Sequence, residues 1–265
     1  MKKTGTILDK IIHKKSEMLE NLKKEKSLVE LQSQISNRKT PIRKFSHALG
    51  KKGKLNIMAE IKKASPSEGL IRADFNHSEI AKAYEKSRMV DAISVLTEEN
   101  FFQGRLEFIR DIKEVTTMPI FRKDFIFDAY QIYEAFLAEA DALLLIVAAL
   151  ERDQLASLIK LTKSLGMECL VETHTKEEID IALEAKASII GVNARNLKTF
   201  ELDKTLFVKY ASLIPDSCIK VAESGLESPE ELSNVYTHGA NAALIGTSIM
   251  KSGNIQEKLK FLTAF

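Results

Sequence analysis

Glu60 and Lys62 close the apolar run NIMAEIK, two residues apart. Side chains of a strand alternate between its faces, so Met58, Glu60 and Lys62 point the same way, apolar in the middle and charged at the exit. A carboxylate beside an ammonium is an acid–base pair, able to protonate one atom of a substrate and take a proton from another. Other strand-like runs end in the same manner: Lys123 after PIFR, Glu172 after MECLV, Asn193 and Arg195 in SIIGVNAR, and Glu223 with Ser224 after CIKVA. Parity puts Phe121 with Lys123, Leu170 with Glu172, and Gly191 with Asn193 and Arg195. One charged residue at a strand end signifies little, because loops are polar in any case. Two lysines, several carboxylates and an amide gathered in one place are different. Their burial is costly unless they are paired, and such a cluster points to a catalytic site.

Gathering them requires a scaffold that brings strand ends together. From about residue 55 the chain offers eight short apolar runs: LNIMAEI, DAISVL, PIFRK, DALLLIV, MECLVE, SIIGVN, CIKVAE and AALIG. Amphipathic segments separate them. One follows Asp128, with Ala129, Ile132, Tyr133, Phe136 and Leu137 at helical spacing; another runs from Arg152 to Leu165 and stops at Gly166. SPEEL, from Ser228, reads as an N-cap, a first-turn proline and two acids that suit the helix dipole. Eight strands alternating with helices predict a (β/α)8 barrel, a fold of about 250 residues with its chemistry at the C-terminal strand ends. An open doubly wound sheet is the runner-up, but no G-x-G-x-x-G follows the first strand. The 265 residues, 45% hydrophobic and 29% charged, fit one domain over 1–265, with residues 1–54 as an N-terminal helical extension.

That extension is basic, with fifteen Lys/Arg against five Asp/Glu in a chain of net charge +2. Leu8, Ile11, Ile12, Met18, Leu19 and Leu22 form a helical stripe behind Thr6 and Asp9, which resemble a capping box. The reading is an amphipathic helix docked on the barrel, its positive face drawing in a small anionic ligand rather than gripping nucleic acid. The loops AESG and LIGTS, after the last two strands, can present backbone N–H groups to an anion. Phosphate sites in barrels often lie there, and Ser65 and Ser67 in the first loop add hydroxyls. Cys169 and Cys218 are expected to be buried thiols, which suits a reducing cytoplasm. The five histidines lack metal-ligand spacing, and His174 reads as polar surface despite its closeness to Glu172. Ser224 has no histidine base, and no G-x-S-x-G motif occurs. No apolar run is long enough to span a bilayer, and the N-terminus lacks a signal peptide's apolar region.

Together, AEIKKASPSEG, VLTEENFFQG, RKDFI, ADALLLIVAAL, LVETHT, GVNARNLKTFELD, VAESG, LIGTSIM and the N-terminal ILDKII closely resemble the indole-3-glycerol phosphate synthase family over nearly the whole chain. The resemblance implies a barrel whose N-terminal helices help cover the site. It also implies conversion of 1-(2-carboxyphenylamino)-1-deoxyribulose 5-phosphate to indole-3-glycerol phosphate, with release of CO2 and water and without metal or cofactor. By motif, Lys123 resembles the general acid of ring closure, Glu60 and Lys62 an acid–base pair, and Glu172 and Asn193 the groups beside the reacting centre. Ser65, Ser224, Gly225, Gly246 and Thr247 match phosphate or substrate contacts, Ser224 being counted with the catalytic set. Arg195 and Glu223 are expected to bind substrate. Phe102, Phe125 and Leu145 match apolar walls around the aromatic ring. Which lysine serves which step stays open. Ala194, where GVNNR is the commoner form, and Arg105, often serine, depart from the family pattern. The expected partner is a small phosphorylated substrate, with no nucleic acid, no membrane and a monomeric state. The rivals are a sibling phosphate-binding barrel, such as phosphoribosylanthranilate isomerase or tryptophan synthase α-subunit, and a non-catalytic interaction module using the basic arm.

Overall fold

Strands buried on both faces read as largely apolar runs, and apart from single polar positions such as Arg122 and Lys220 and the charged strand ends, so do the eight runs. They form β1 (Asn56–Ile61), β2 (Ala92–Leu96), β3 (Ile120–Lys123), β4 (Ala142–Ile146), β5 (Glu168–Thr173), β6 (Ile189–Asn193), β7 (Ile219–Glu223) and β8 (Ala242–Ile245) in the computed structural model, which describes residues 5–196 and 199–265. The first four residues of the basic extension, and Leu197 and Lys198 of the GVNARNLKTFELD motif, lie outside the described residues. All pairings are parallel and sequential. β1 closes the barrel against β8, with Asn56 opposite Ala242, and lies beside β2, with Met58 opposite Ala92. The (β/α)8 barrel is therefore the fold.

The helical punctuation acts where the sequence puts it. Asp128 with Gln131, Glu151 with Gln154 and Ser228 with Glu231 form capping boxes at the starts of the helices Ala129–Leu137, Arg152–Ser164 and Pro229–Thr237. Gly166, just past the second of these, takes a φ of +80°, which a side chain would disfavour.

The extension straps the barrel from mouth to floor. Helix α1 (Ile7–Glu25) opens with Thr6 Oγ1 accepting from the Leu8 N–H at 3.1 Å, while Asp9 takes the Gly5 N–H at 2.7 Å. It buries Leu8, Ile11, Ile12 and Leu19, but Leu22 stays exposed and Lys15 is buried instead. After α2 (Leu28–Ser33), Arg38 Nη1 donates to the Phe136 and Ala140 carbonyls at 2.8 and 2.9 Å, and Arg43 Nη1 to that of Met118 at 2.7 Å. Helix α3 (Phe45–Leu49) then stops the barrel's N-terminal end. Phe45 stacks on Phe121 with ring centroids 5.3 Å apart, and both are fully buried. Much of the arm's positive charge thus holds the strap in place.

Cys169 is buried as expected, and burial pushes its thiol up to about 12. Cys218 departs from expectation. It precedes β7, is only half-buried, and donates weakly to the Ala187 carbonyl.

Candidate active site

Strand alternation delivers the charged residues into one cavity at the C-terminal end of the barrel. Its wall includes Glu60, Lys62, Lys123, Glu172, Asn193 and Arg195 from strand ends, Ser65 and Ser67 from the first loop, and Ser224, Gly225, Gly246 and Thr247 from the last two. Ile7, Leu8 and Ile11 of α1 form part of its roof.

Two ion clusters face each other. Lys62 Nζ lies 2.6 Å from Glu60 Oε2. Lys123 Nζ sits between Glu223 at 3.3 Å and Glu172 at 3.4 Å. Burial works against the Lys123 charge, but Glu223, Glu172 and Glu60 outweigh it, and the ammonium is held well above its ordinary range. Glu172 is also buried. Lys123, His174 and a hydrogen bond from Asn193 overcome that burial and hold its carboxyl below the ordinary value. Glu223 goes the other way. Burial, opposed by Lys123 and reinforced by Glu172, pushes it up to about 7, and its Oε1 has no hydrogen bond among the described residues. Two neighbouring carboxyls with opposite proton preferences, sharing one ammonium, can exchange protons with a bound substrate.

Glycines make room for this chemistry. A Cβ on Gly191 would collide with the Glu223 carboxylate, and one on Gly246 with that of Glu60. Ser224 and Gly225 take φ values of +71° and +74°, a strained conformation for serine that turns the chain sharply at the cavity edge. Ser65 and Ser67 stand with their hydroxyls 3.5 Å apart, and Arg195 Nη1 donates to the Phe200 carbonyl at 3.0 Å.

Phe102 and Phe125, with centroids 6.1 Å apart, both line the cavity and form an aromatic wall of it. Leu145 does not. β4 pairs with β5 so that Ile146 lies opposite the inward-facing Glu172. Leu144 and Ile146 therefore face the cavity, and Leu145 is buried on the opposite side of the strand. The departures are peripheral: Arg105 is exposed, and Ala194 packs behind the wall.

Four residues of the site's surroundings escaped the sequence reading. His174 is largely buried, with Nε2 at 3.5 Å from Glu172 Oε1. Asp124 and Lys15 pair at 2.7 Å beneath the roof, and Arg122 Nη2 meets the same carboxylate at 2.9 Å. The overlooked signal in each case was a charge at an otherwise apolar position or immediately beside a strand-end catalytic candidate.

The family model for indole-3-glycerol phosphate synthase matches residues 8–262. The chain belongs to the indole-3-glycerol phosphate synthase family. Family members are carboxy-lyases of tryptophan biosynthesis. The indole-3-glycerol phosphate synthase of Endomicrobium trichonymphae is 46% identical over 97% of this chain and 99% of its own length. That of Campylobacter fetus subsp. fetus is 46% identical over 96% and 98%. Among solved structures, 3-hexulose-6-phosphate synthase from Salmonella typhimurium superposes with a TM-score of 0.62 at 14% identity, covering 79% of this chain and 97% of that one. KGPDC from Streptococcus mutans gives 0.61 at 15% identity, covering 78% and 94%. At that identity the likeness is one of fold. Among the described residues, no helix is long and apolar enough to cross a membrane.

Proposed function

We propose that this indole-3-glycerol phosphate synthase family member closes the indole ring of 1-(2-carboxyphenylamino)-1-deoxyribulose 5-phosphate with the groups gathered around Lys123. The observation that carries the reading is the Lys123 ammonium, held between Glu172 and Glu223 opposite the Glu60–Lys62 pair and beside the Phe102–Phe125 wall.

The anthranilate ring lies against Phe102, Phe125, Leu144 and Ile146. The phosphate lies by Ser224, Gly225, Gly246 and Thr247, with Ser65 and Arg195 at its edge. The carboxylate-bearing ring carbon attacks the ketone carbon. As that bond forms, the carbonyl π pair moves onto oxygen and Lys123 protonates it. The C–CO2 bond then breaks, and its electron pair restores the aromatic ring. In the dehydration, Lys62 protonates the departing hydroxyl, and the nitrogen lone pair assists its departure as water. Glu172, steadied by Asn193, then takes a proton from the ring methylene carbon beside nitrogen; that C–H pair becomes the new ring double bond, and the nitrogen keeps its hydrogen. Glu223 anchors Lys123 and returns its proton. Each transfer uses a group of this chain, and we assign no cofactor. The setting we propose is cytoplasmic, with the enzyme acting as a monomer.

The test is turnover of that substrate, followed as CO2 and indole-3-glycerol phosphate released, in the wild type and in Lys123→Ala. The wild type turns over, and the variant loses at least about 10²-fold in kcat while keeping its circular dichroism spectrum. A folded Lys123→Ala protein with near-normal kcat refutes the assignment.

A further inference from the structure

β5 ends at Thr173, and His174 follows two positions after Glu172, where it is largely buried rather than surface. Thr175 caps the next helix, α4 (Lys176–Glu184), by accepting from the Glu178 N–H at 3.2 Å. That turn folds the Glu178 side chain back. Its Oε2 accepts the His174 backbone N–H at 2.7 Å and faces His174 Nδ1 at 3.3 Å. The ring is thereby fixed with Nε2 aimed at Glu172 Oε1, 3.5 Å away, and Nε2 makes no hydrogen bond among the described residues. The other Glu172 oxygen faces Lys123 at 3.4 Å. His174 is not part of the cavity wall, so whatever it does, it does through Glu172.

We propose that His174 is a positioning residue for Glu172: its imidazolium, braced by Glu178, holds the Glu172 carboxylate in place and fixes which oxygen remains for Lys123 and substrate. The proposal rests on the base role given to Glu172 above. The ionisable groups facing the ring are Glu172 from its own strand, Glu178 from α4 and Glu223 from β7, with Lys123 of β3 beyond Glu172. Burial disfavours the imidazolium, but the Glu178 hydrogen bond and the Glu172 charge outweigh it, so the ring holds its proton above the ordinary value. The charge is present below that raised midpoint and is lost as pH rises through it. Activity that depends on it therefore declines on the alkaline side.

The experiment has two arms on the full-length protein. In the first, the His174 ring proton resonance, assigned by its disappearance in His174→Asn, is titrated by NMR. Its midpoint lies above about 6.5 in the wild type and falls in both Glu178→Gln and Glu172→Gln. In the second, kcat is followed against pH. The alkaline limb moves to lower pH in Glu178→Gln and vanishes in His174→Asn. The His174→Asn kcat drops about tenfold with little change in KM, less than the ~10²-fold or more expected of a group that transfers the proton itself. A limb belonging to Glu223 survives His174→Asn, and that result overturns the proposal. So does a wild-type His174 midpoint at or below 6.5. If His174→Asn does not fold, the Glu178→Gln shift decides. If the wild type turns over no substrate, the catalytic reading fails and the NMR arm still tests the ion bridge by itself.

Discussion

Gly246 lacks a side chain because the Glu60 carboxylate fills the space where a Cβ would stand. Its conformation is not the left-handed kind that glycine alone favours, so close packing is the constraint. Gly246→Ala should therefore displace Glu60 from Lys62 and lower kcat more than it raises KM. Steady-state kinetics of the folded variant check this, and a pure KM effect would return Gly246 to a role in holding phosphate alone. Glu223 gives a prediction of opposite kind, in stability. Its carboxyl keeps a proton up to about pH 7 in the folded chain, whereas an unfolded glutamate releases it near 4.3. Between those values the native state binds more protons than the unfolded one, so this group makes stability fall as pH rises through that window. Glu223→Gln removes the slope. Its melting temperature relative to wild type should be more favourable at pH 8 than at pH 5, and the reverse order would mean that Glu223 is ionised beside Lys123.

Among the elements, the barrel strands were legible because each is a short, largely apolar run, five of them ended by a charged or amide side chain, and alternation told which residues share a face. The same rule was available for β4, but DALLLIV is apolar at every position from Ala142 and offers no polar mark of register. Only its pairing, Ile146 opposite Glu172, puts Leu144 rather than Leu145 in the cavity. Helix α1 was legible from its stripe except at Lys15. A lysine in a basic segment reads as surface, and nothing local announces that Asp124, more than a hundred positions on, meets it at 2.7 Å. Burial works against the Lys15 charge, Asp124 outweighs it, and the ammonium is held above its ordinary value. Lys15→Met leaves the buried Asp124 with Arg122 but without this partner. By the usual cost of breaking a buried pair, it should lower unfolding free energy by about 3 kcal/mol. Denaturant titration measures that. Removing residues 1–34 takes away the roof residues Ile7, Leu8 and Ile11 as well. It should reduce kcat/KM beyond what Lys15→Met does, by admitting water to the cavity. Equal kinetics in the two would make α1 a purely structural helix.

For the molecule as a whole, the absence of tryptophan is an experimental advantage. Emission from the protein alone comes from five tyrosines, leaving the indole band dark. Mixed with the proposed substrate, the enzyme should make indole emission rise while the anthranilate band falls. Under single-turnover conditions the two changes should share one rate constant. A chelator should leave that rate unchanged, because the Lys/Glu set performs the proton transfers. Loss of the anthranilate band without indole emission would identify a different reaction on the same substrate.

The strap has a consequence in time as well as in space. Lys23 meets Asp128, and Arg38 meets Phe136, across 105 and 98 positions of chain. A ribosome reaches those partners only some seconds after the strap has emerged, at about 5–20 residues per second. Throughout that interval the Leu8–Ile12 stripe has no surface to lie on, and α3 has no floor to close. The nascent chain therefore carries an exposed apolar helix until half its length is made, and the segment synthesised early is among the last to find its place.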